Sequence, residues 1–155
     1  YDSGFVLGRG TAEDFWQLLK ARTGLAGDAD ALSRRLLDGF LPRPWMLQLV
    51  RRLRDAGFTT GILSDQTDWL DALDARYHFF ADFDRIYNSY YLGRGKRDPA
   101  TFRQVADDLG LEPAAVLLID DDAGNVERAR AAGWCAIQYL EAADFKAALE
   151  RLLSL

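Results

Sequence analysis

Val116-Leu-Leu-Ile-Asp-Asp-Asp-Ala-Gly-Asn-Val-Glu-Arg-Ala-Arg-Ala-Ala-Gly-Trp-Cys-Ala-Ile-Gln-Tyr139 decides the fold. Val116–Ile119 is a short, continuous apolar run, the pattern of a strand buried on both faces. Three acids follow it, Ala123–Ala132 has a helical pattern, and Cys135–Tyr139 is a second apolar run. The same alternation extends outward. Upstream lie a strand at Phe58–Leu63, a helix at Thr67–Arg76, a strand at Arg85–Asn88 and a helix at Pro99–Leu109 with Asp98 as its N-cap. Downstream a last helix runs from about Ala142 to Leu153. Strands alternating with helices predict an α/β fold with a parallel sheet covered by helices.

The first forty residues have no strand pattern. Thr11-Ala-Glu-Asp14 has capping-box spacing, with Phe15, Leu18 and Leu19 at helical intervals behind it. Gly24 and Gly27 interrupt the chain before a second helix, Ala31–Phe40. Pro42 and Pro44 mark a boundary, and a third helix, Trp45–Ala56, ends at Gly57 in the C′ position. No internal repeat or low-complexity linker divides the chain.

Composition narrows the function classes. Of 155 residues, 49% are hydrophobic and 28% charged, enough to fill a core and unlike a disordered chain. No apolar run approaches the ~20 residues of a membrane span, and Tyr1-Asp2-Ser3-Gly4 does not open a signal peptide. A net charge of −5 argues against nucleic acid as a partner. Arg51, Arg52 and Arg54 read as a solvated helix face. Cys135 is the single cysteine, which excludes an internal disulfide, fits the reducing cytoplasm and reads as a small buried side chain.

In parallel α/β sheets ligands sit at the carboxyl ends of strands. One such end carries Ser64 and Asp65 just before a helix, where a hydroxyl and free N–H groups suit a phosphate; either residue could instead merely cap that helix. Another carries Asp120, Asp121 and Asp122. Asp122 suits an N-cap, whereas Asp120 and Asp121 need a counter-charge, and magnesium commonly takes one or two carboxylates plus water and phosphate oxygens. Lys96 lies in the turn Gly93-Arg-Gly-Lys-Arg-Asp-Pro99, where glycines let backbone approach a ligand, although a loop lysine is usually just solvated.

Ser64, then Lys96, then Asp120–Asp121, each following a strand pattern, resembles the later three motifs of the haloacid dehalogenase superfamily. Phe79-Phe80, Phe83-Asp84, Asn88-Ser89 and Asn125-Val126 extend the resemblance over nearly the whole chain. It implies a Rossmann-like core over residues 43–155 and a small helical cap over residues 1–42. It also implies a phosphatase that forms and hydrolyses an aspartyl-phosphate on a small phosphorylated metabolite. Lys96 would be catalytic and, with Ser64 and Asp65, phosphate-binding; Asp120 and Asp121 would bind Mg2+. The residue after the serine is often asparagine in this family, so Asp65 puts a side-chain contact to phosphate in question.

The family's first motif, an Asp-x-Asp or Asp-x-Gly pair ending the central strand, has no clear match. Asp2-Ser3-Gly4 bears a faint likeness to it, which makes Asp2 a candidate nucleophile, but no apolar strand precedes Asp2 and Gly8–Phe15 already reads as cap. The resemblance therefore implies a nucleophile upstream of Tyr1 and a core without its first strand, leaving a slot of about two strand spacings, ~9.6 Å. Rival readings are a metal-independent dehalogenase and a non-catalytic binding protein of the same fold. A phosphorelay receiver domain carries its acidic pair and lysine in the opposite order. Phe5, Trp16 and Phe40 are aromatic candidates for a substrate pocket, although aromatics at helical spacing are more often core. Nothing in the sequence sets the oligomeric state.

Overall fold

A computed structural model describes residues 1–153 as two compact units, residues 1–95 and residues 96 onward. The expected α/β alternation is present, and among the described residues both strand pairings are parallel.

The first unit begins with a short 3-10 turn at Phe5–Leu7 and three helices, α1 (Ala12–Thr23), α2 (Ala29–Leu37) and α3 (Pro44–Asp55). The capping box forms: the Thr11 hydroxyl accepts from Asp14 N–H, while Asp14 accepts from Thr11 N–H. α2 starts two residues earlier than the pattern predicts, because Asp28 caps it by accepting from Ala31 N–H at 2.9 Å. Phe5 and Trp16 are core rather than pocket lining, 2% and 4% exposed. Their rings meet Trp69 at 5.4 and 6.2 Å, and the Trp16 indole N–H donates to Ser33 at 2.7 Å, tying α1 to α2. Phe40 stays exposed along an apolar groove with Leu41, Met46 and Phe79.

Strand β1 (Gly61–Ser64) pairs with β2 (Arg85–Asn88), with Ser64 opposite Asn88. β1 is shorter than the apolar run Phe58–Leu63 for a backbone reason. Phe58 N–H is used on Leu53 C=O and Gly57 N–H on Arg54 C=O, which closes the end of α3. Thr60 is then clasped by Asp84, which accepts from both its N–H and its hydroxyl. Helix α4 (Trp69–Tyr77) follows β1, and a four-residue helix, α5 (Ser89–Leu92), which the periodicity did not reveal, follows β2. The arginines of α3 are exposed, as a solvated face requires, and two of them are also paired. Arg51 makes a two-pronged pair with Asp82 at 2.6 and 2.8 Å, and Arg54 reaches Asp84 at 3.1 Å; Arg52 is exposed as expected.

The second unit contains α6 (Ala100–Leu109), β3 (Leu117–Asp120), α7 (Ala123–Ala131), β4 (Cys135–Gln138) and α8 (Ala142–Leu153). β3 and β4 pair in parallel with α7 as the crossover, as the deciding stretch predicts. Phe102, 0% exposed, packs edge-on against Trp134 at 5.3 Å. Pro99 rather than Asp98 occupies the N-cap position of α6, but Asp98 still supplies the acceptor for Ala100 N–H at 2.9 Å. Cys135 is half-buried, not buried, because among the described residues β4 is paired along one edge only. No helix is long and apolar enough to cross a membrane among the described residues.

Candidate active site

The strongest polar constellation lies in the second unit, at the carboxyl end of β3. Asp120 ends that strand, 8% exposed, and Lys96, also 8% exposed, donates from Nζ to Asp120 Oδ2 at 2.5 Å. The counter-charge that Asp120 requires is thus a lysine of the protein, and Lys96 is not a solvated loop residue. Asp120 Oδ1 accepts from Asp122 N–H at 2.9 Å and from Asn125 Nδ2 at 3.0 Å. Burial by itself raises the Asp120 carboxyl, but the hydrogen bonds from Lys96 and Asn125 and the lysine charge outweigh it and hold the group below the ordinary carboxylate range.

Two residues of α7 complete the arrangement. Arg128 donates from Nη2 to Asn125 Oδ1 at 2.6 Å and from Nε to the Lys96 carbonyl at 2.8 Å. Lys96, Asp120, Asn125 and Arg128 therefore form a closed ring of hydrogen bonds. Neither Asn125 nor Arg128 stands out as a site residue from its type alone. The available signal was their spacing from the cap: residues 122, 125 and 128 share one helix face. Asp122 is the N-cap, accepting from Asn125 N–H at 2.7 Å.

Asp121 is exposed at the first position after β3, and its carbonyl accepts from Gln138 Nε2 at 3.1 Å. Among the described residues no group of three or more His, Cys, Asp or Glu side chains is placed to hold a metal. Two neighbouring hard carboxylates, one with an oxygen that makes a single hydrogen bond, nevertheless fit the donor set of magnesium, which takes its remaining ligands from water and phosphate. Zinc or iron would demand more protein ligands than are gathered here.

The second candidate lies in the first unit, where the chain leaves β1. Ser64 is half-buried and its hydroxyl makes no hydrogen bond to another described residue. Neither Ser64 nor Asp65 caps the helix: the N-cap position of α4 falls to Asp68, whose side chain makes no capping bond, and the Thr67 hydroxyl before it accepts from Trp69 N–H at 3.2 Å. Asp65 instead accepts from the Tyr1 phenol at 2.5 Å. The loop is tied down from the end of β2: Asn88, 3% exposed, donates to Thr67 C=O at 2.8 Å, and Ser89, 1% exposed, reaches Gln66 C=O at 3.2 Å. Asp68, at the start of α4, has its carboxyl pushed up by burial and by the neighbouring Asp71 charge. Asp2 lies outside any strand, on the exposed surface, paired with Arg22 at 2.6 Å.

Comparison with known proteins agrees with this architecture. The sequence profile of haloacid dehalogenase-like hydrolases matches residues 7–133. Enolase-phosphatase E1 of Frankia alni is 30% identical over 131 residues, which cover 79% of this chain and 52% of that protein. The chain spans about half or less of the length of its curated relatives, from 23% to 52%. A predicted HAD-like hydrolase from Porphyromonas gingivalis superposes with a TM-score of 0.79 at 25% identity, covering 96% of this chain and 76% of that one. A HAD family enzyme from Bacteroides thetaiotaomicron, solved with magnesium and inorganic phosphate, gives 0.76 at 20% identity over 89% of this chain and 72% of that one. The profile spans most of the sequence and the parallel α/β fold agrees with it: the chain belongs to the haloacid dehalogenase-like hydrolase family.

Proposed function

We propose that the chain carries the phosphate- and metal-binding part of a magnesium-dependent phosphomonoesterase acting on a small phosphorylated metabolite. The observation that supports this most is the buried Lys96–Asp120 pair with Asp121 beside it. A cation and two carboxylates at one strand end are suited to a phosphoryl group and a hard metal ion.

Each residue then has a distinct task. Lys96 neutralises charge on the phosphate and on the attacking carboxylate. Ser64 donates its hydroxyl to a phosphoryl oxygen, and Asp65 contributes through its backbone N–H while its carboxylate is engaged by Tyr1. Asp121, helped by Asp120, holds Mg2+. When bound, magnesium screens the phosphate oxygens so that a carboxylate can approach. The nucleophilic aspartate, which takes up the phosphoryl group as an aspartyl-phosphate that water then hydrolyses, comes from outside these 155 residues; Asp2, held by Arg22, is the weaker assignment. In such transfers positioning and charge stabilisation do most of the catalytic work. Residues 1–42 act as the cap and 43–155 as the core, in a reducing cytoplasmic setting that suits the lone thiol of Cys135.

The test is a panel of phosphate monoesters, with and without magnesium, on the chain alone and joined to an upstream strand ending in aspartate. Hydrolysis that requires Mg2+ and is lost in Lys96→Ala and Asp121→Ala is expected. Full rates in either variant would end the site assignment. Chelator-resistant release of halide from a 2-haloacid would replace this reading with a dehalogenase.

A further inference from the structure

The segment Tyr1–Gly10 is fastened to the loops that follow β1 and β2. The Tyr1 phenol donates to Asp65 Oδ2 at 2.5 Å, the Ser89 hydroxyl to Val6 C=O at 2.6 Å, and Arg9 to Gly93 C=O at 3.3 Å. Gly8 passes so near Tyr90 that a Cβ there would lie 2.4 Å from its carbonyl oxygen. At Gly95 a Cβ would stand 2.1 Å from the Tyr1 phenol oxygen and 2.7 Å from Asp65 Oδ1. Three residues far apart in sequence therefore meet at one point, and the third of them immediately precedes Lys96.

We propose that Tyr1 and Asp65 are a pair of positioning residues that lock the Ser64–Asp65 loop to the Gly93–Gly95 turn. One of these segments carries the serine hydroxyl, and the other leads directly into Lys96. The proposal rests on the phosphatase reading of Ser64 and Lys96, and it gives Asp65 a reason to depart from asparagine. A carboxylate accepts a phenolic O–H in a stronger, charge-assisted bond than an amide oxygen does. The side chain that would repel a phosphate thereby becomes the anchor of the loop. Glycine at 95 follows from the same packing: the backbone there does not require glycine's left-handed freedom, but the phenol oxygen occupies the space of a Cβ. The obstructing atom is the far end of a side chain, so alanine at 95 displaces Tyr1 and breaks the lock without unfolding the protein.

The experiment compares Tyr1→Phe, Asp65→Asn, Gly95→Ala and the Tyr1→Phe/Gly95→Ala double variant, all joined to the upstream segment that completes the enzyme. Gly95→Ala is expected to lower kcat by roughly 10- to 100-fold, the scale on which small misplacements act, with KM and thermal stability little changed. Tyr1→Phe gives a smaller fall of the same kind, and Asp65→Asn, which keeps an acceptor, smaller still. The double variant is no slower than Gly95→Ala, because alanine at 95 has already broken the Tyr1–Asp65 bond that Tyr1→Phe deletes. Hydrogen exchange at residues 93–95 should quicken in Tyr1→Phe while α6 and α7 are unaffected. Additive losses in the double variant, or unchanged exchange in the turn, would overturn the proposal. Should the parent enzyme hydrolyse no phosphate ester, the function fails, and the exchange measurement still decides whether the lock exists.

Discussion

The loop after β3 and the loop after β1 are held in opposite ways. The first is largely self-sufficient: Asp120, Asp122, Asn125 and Arg128 come from one short stretch, with Lys96 and, through the Asp121 carbonyl, Gln138 reaching it from further away. The second is held by distant chain, with Tyr1 on Asp65, Asn88 on Thr67 and Ser89 on both Gln66 and Val6. A charged cluster needs its partners built in, because a buried carboxylate without them is expensive. A serine hydroxyl can be presented by a loop whose backbone is fastened from outside.

The sharpest way to break this contrast is Lys96→Ala. It leaves Asp120 buried without its cation and should destabilise the protein by about 3–5 kcal/mol in urea unfolding. Lys96→Met with Asp120→Leu should recover most of that loss without restoring activity. A loss under about 1 kcal/mol in the single variant would mean that the ring is solvated and the contrast is unfounded. Ser89→Ala removes the fully buried hydroxyl that joins two segments of the other loop, and about 1–3 kcal/mol is expected from the carbonyls left behind.

Smaller effects sharpen the comparison. Asp122→Ala and Thr11→Ala each delete an N-cap and should each lose ~1 kcal/mol, but only the former should also lower activity, since the Asp122 carboxylate fixes the first turn of α7, where Asn125 donates to Asp120. The weakest effect is one of pH. Hydrogen bonds from Thr60 and the Arg54 charge hold the Asp84 carboxyl below its ordinary value of 3.8. Its contribution is therefore complete above pH 3.8 and fades as the pH falls through the lower folded value. Asp84→Asn should flatten the acid limb of a stability–pH profile and leave the neutral region little changed.

The βαβ unit was legible in the sequence because an apolar run, a helical pattern and a second apolar run follow one another without interruption. Asp120 and Asp121 could be singled out for a similar reason, as acids stranded at the end of such a run, whereas Lys96 stood out only through its glycine-flanked turn and the resemblance. Asn125 and Arg128 escaped notice because on an exposed-looking helix face their residue types are ordinary; only the ring gives them meaning. The contacts of Tyr1, Ser89 and Gly95 were beyond reach, since they depend on which loops meet and not on any local pattern. The start of β1 was misjudged because Phe58 looks like a strand residue while its amide is occupied in closing α3.

Asn125 has a further consequence in the ring it completes. Arginine can only donate and an ionised aspartate can only accept, so a link between them must accept on one side and donate on the other. The asparagine amide does this within the reach of a short side chain, taking from Arg128 at Oδ1 and giving to Asp120 at Nδ2. Aspartate at 125 would set two carboxylates face to face, and leucine would leave a donor and an acceptor stranded. The amide at this position reverses hydrogen-bond polarity, and position 125 should therefore tolerate substitution less than the charged residues' prominence would suggest.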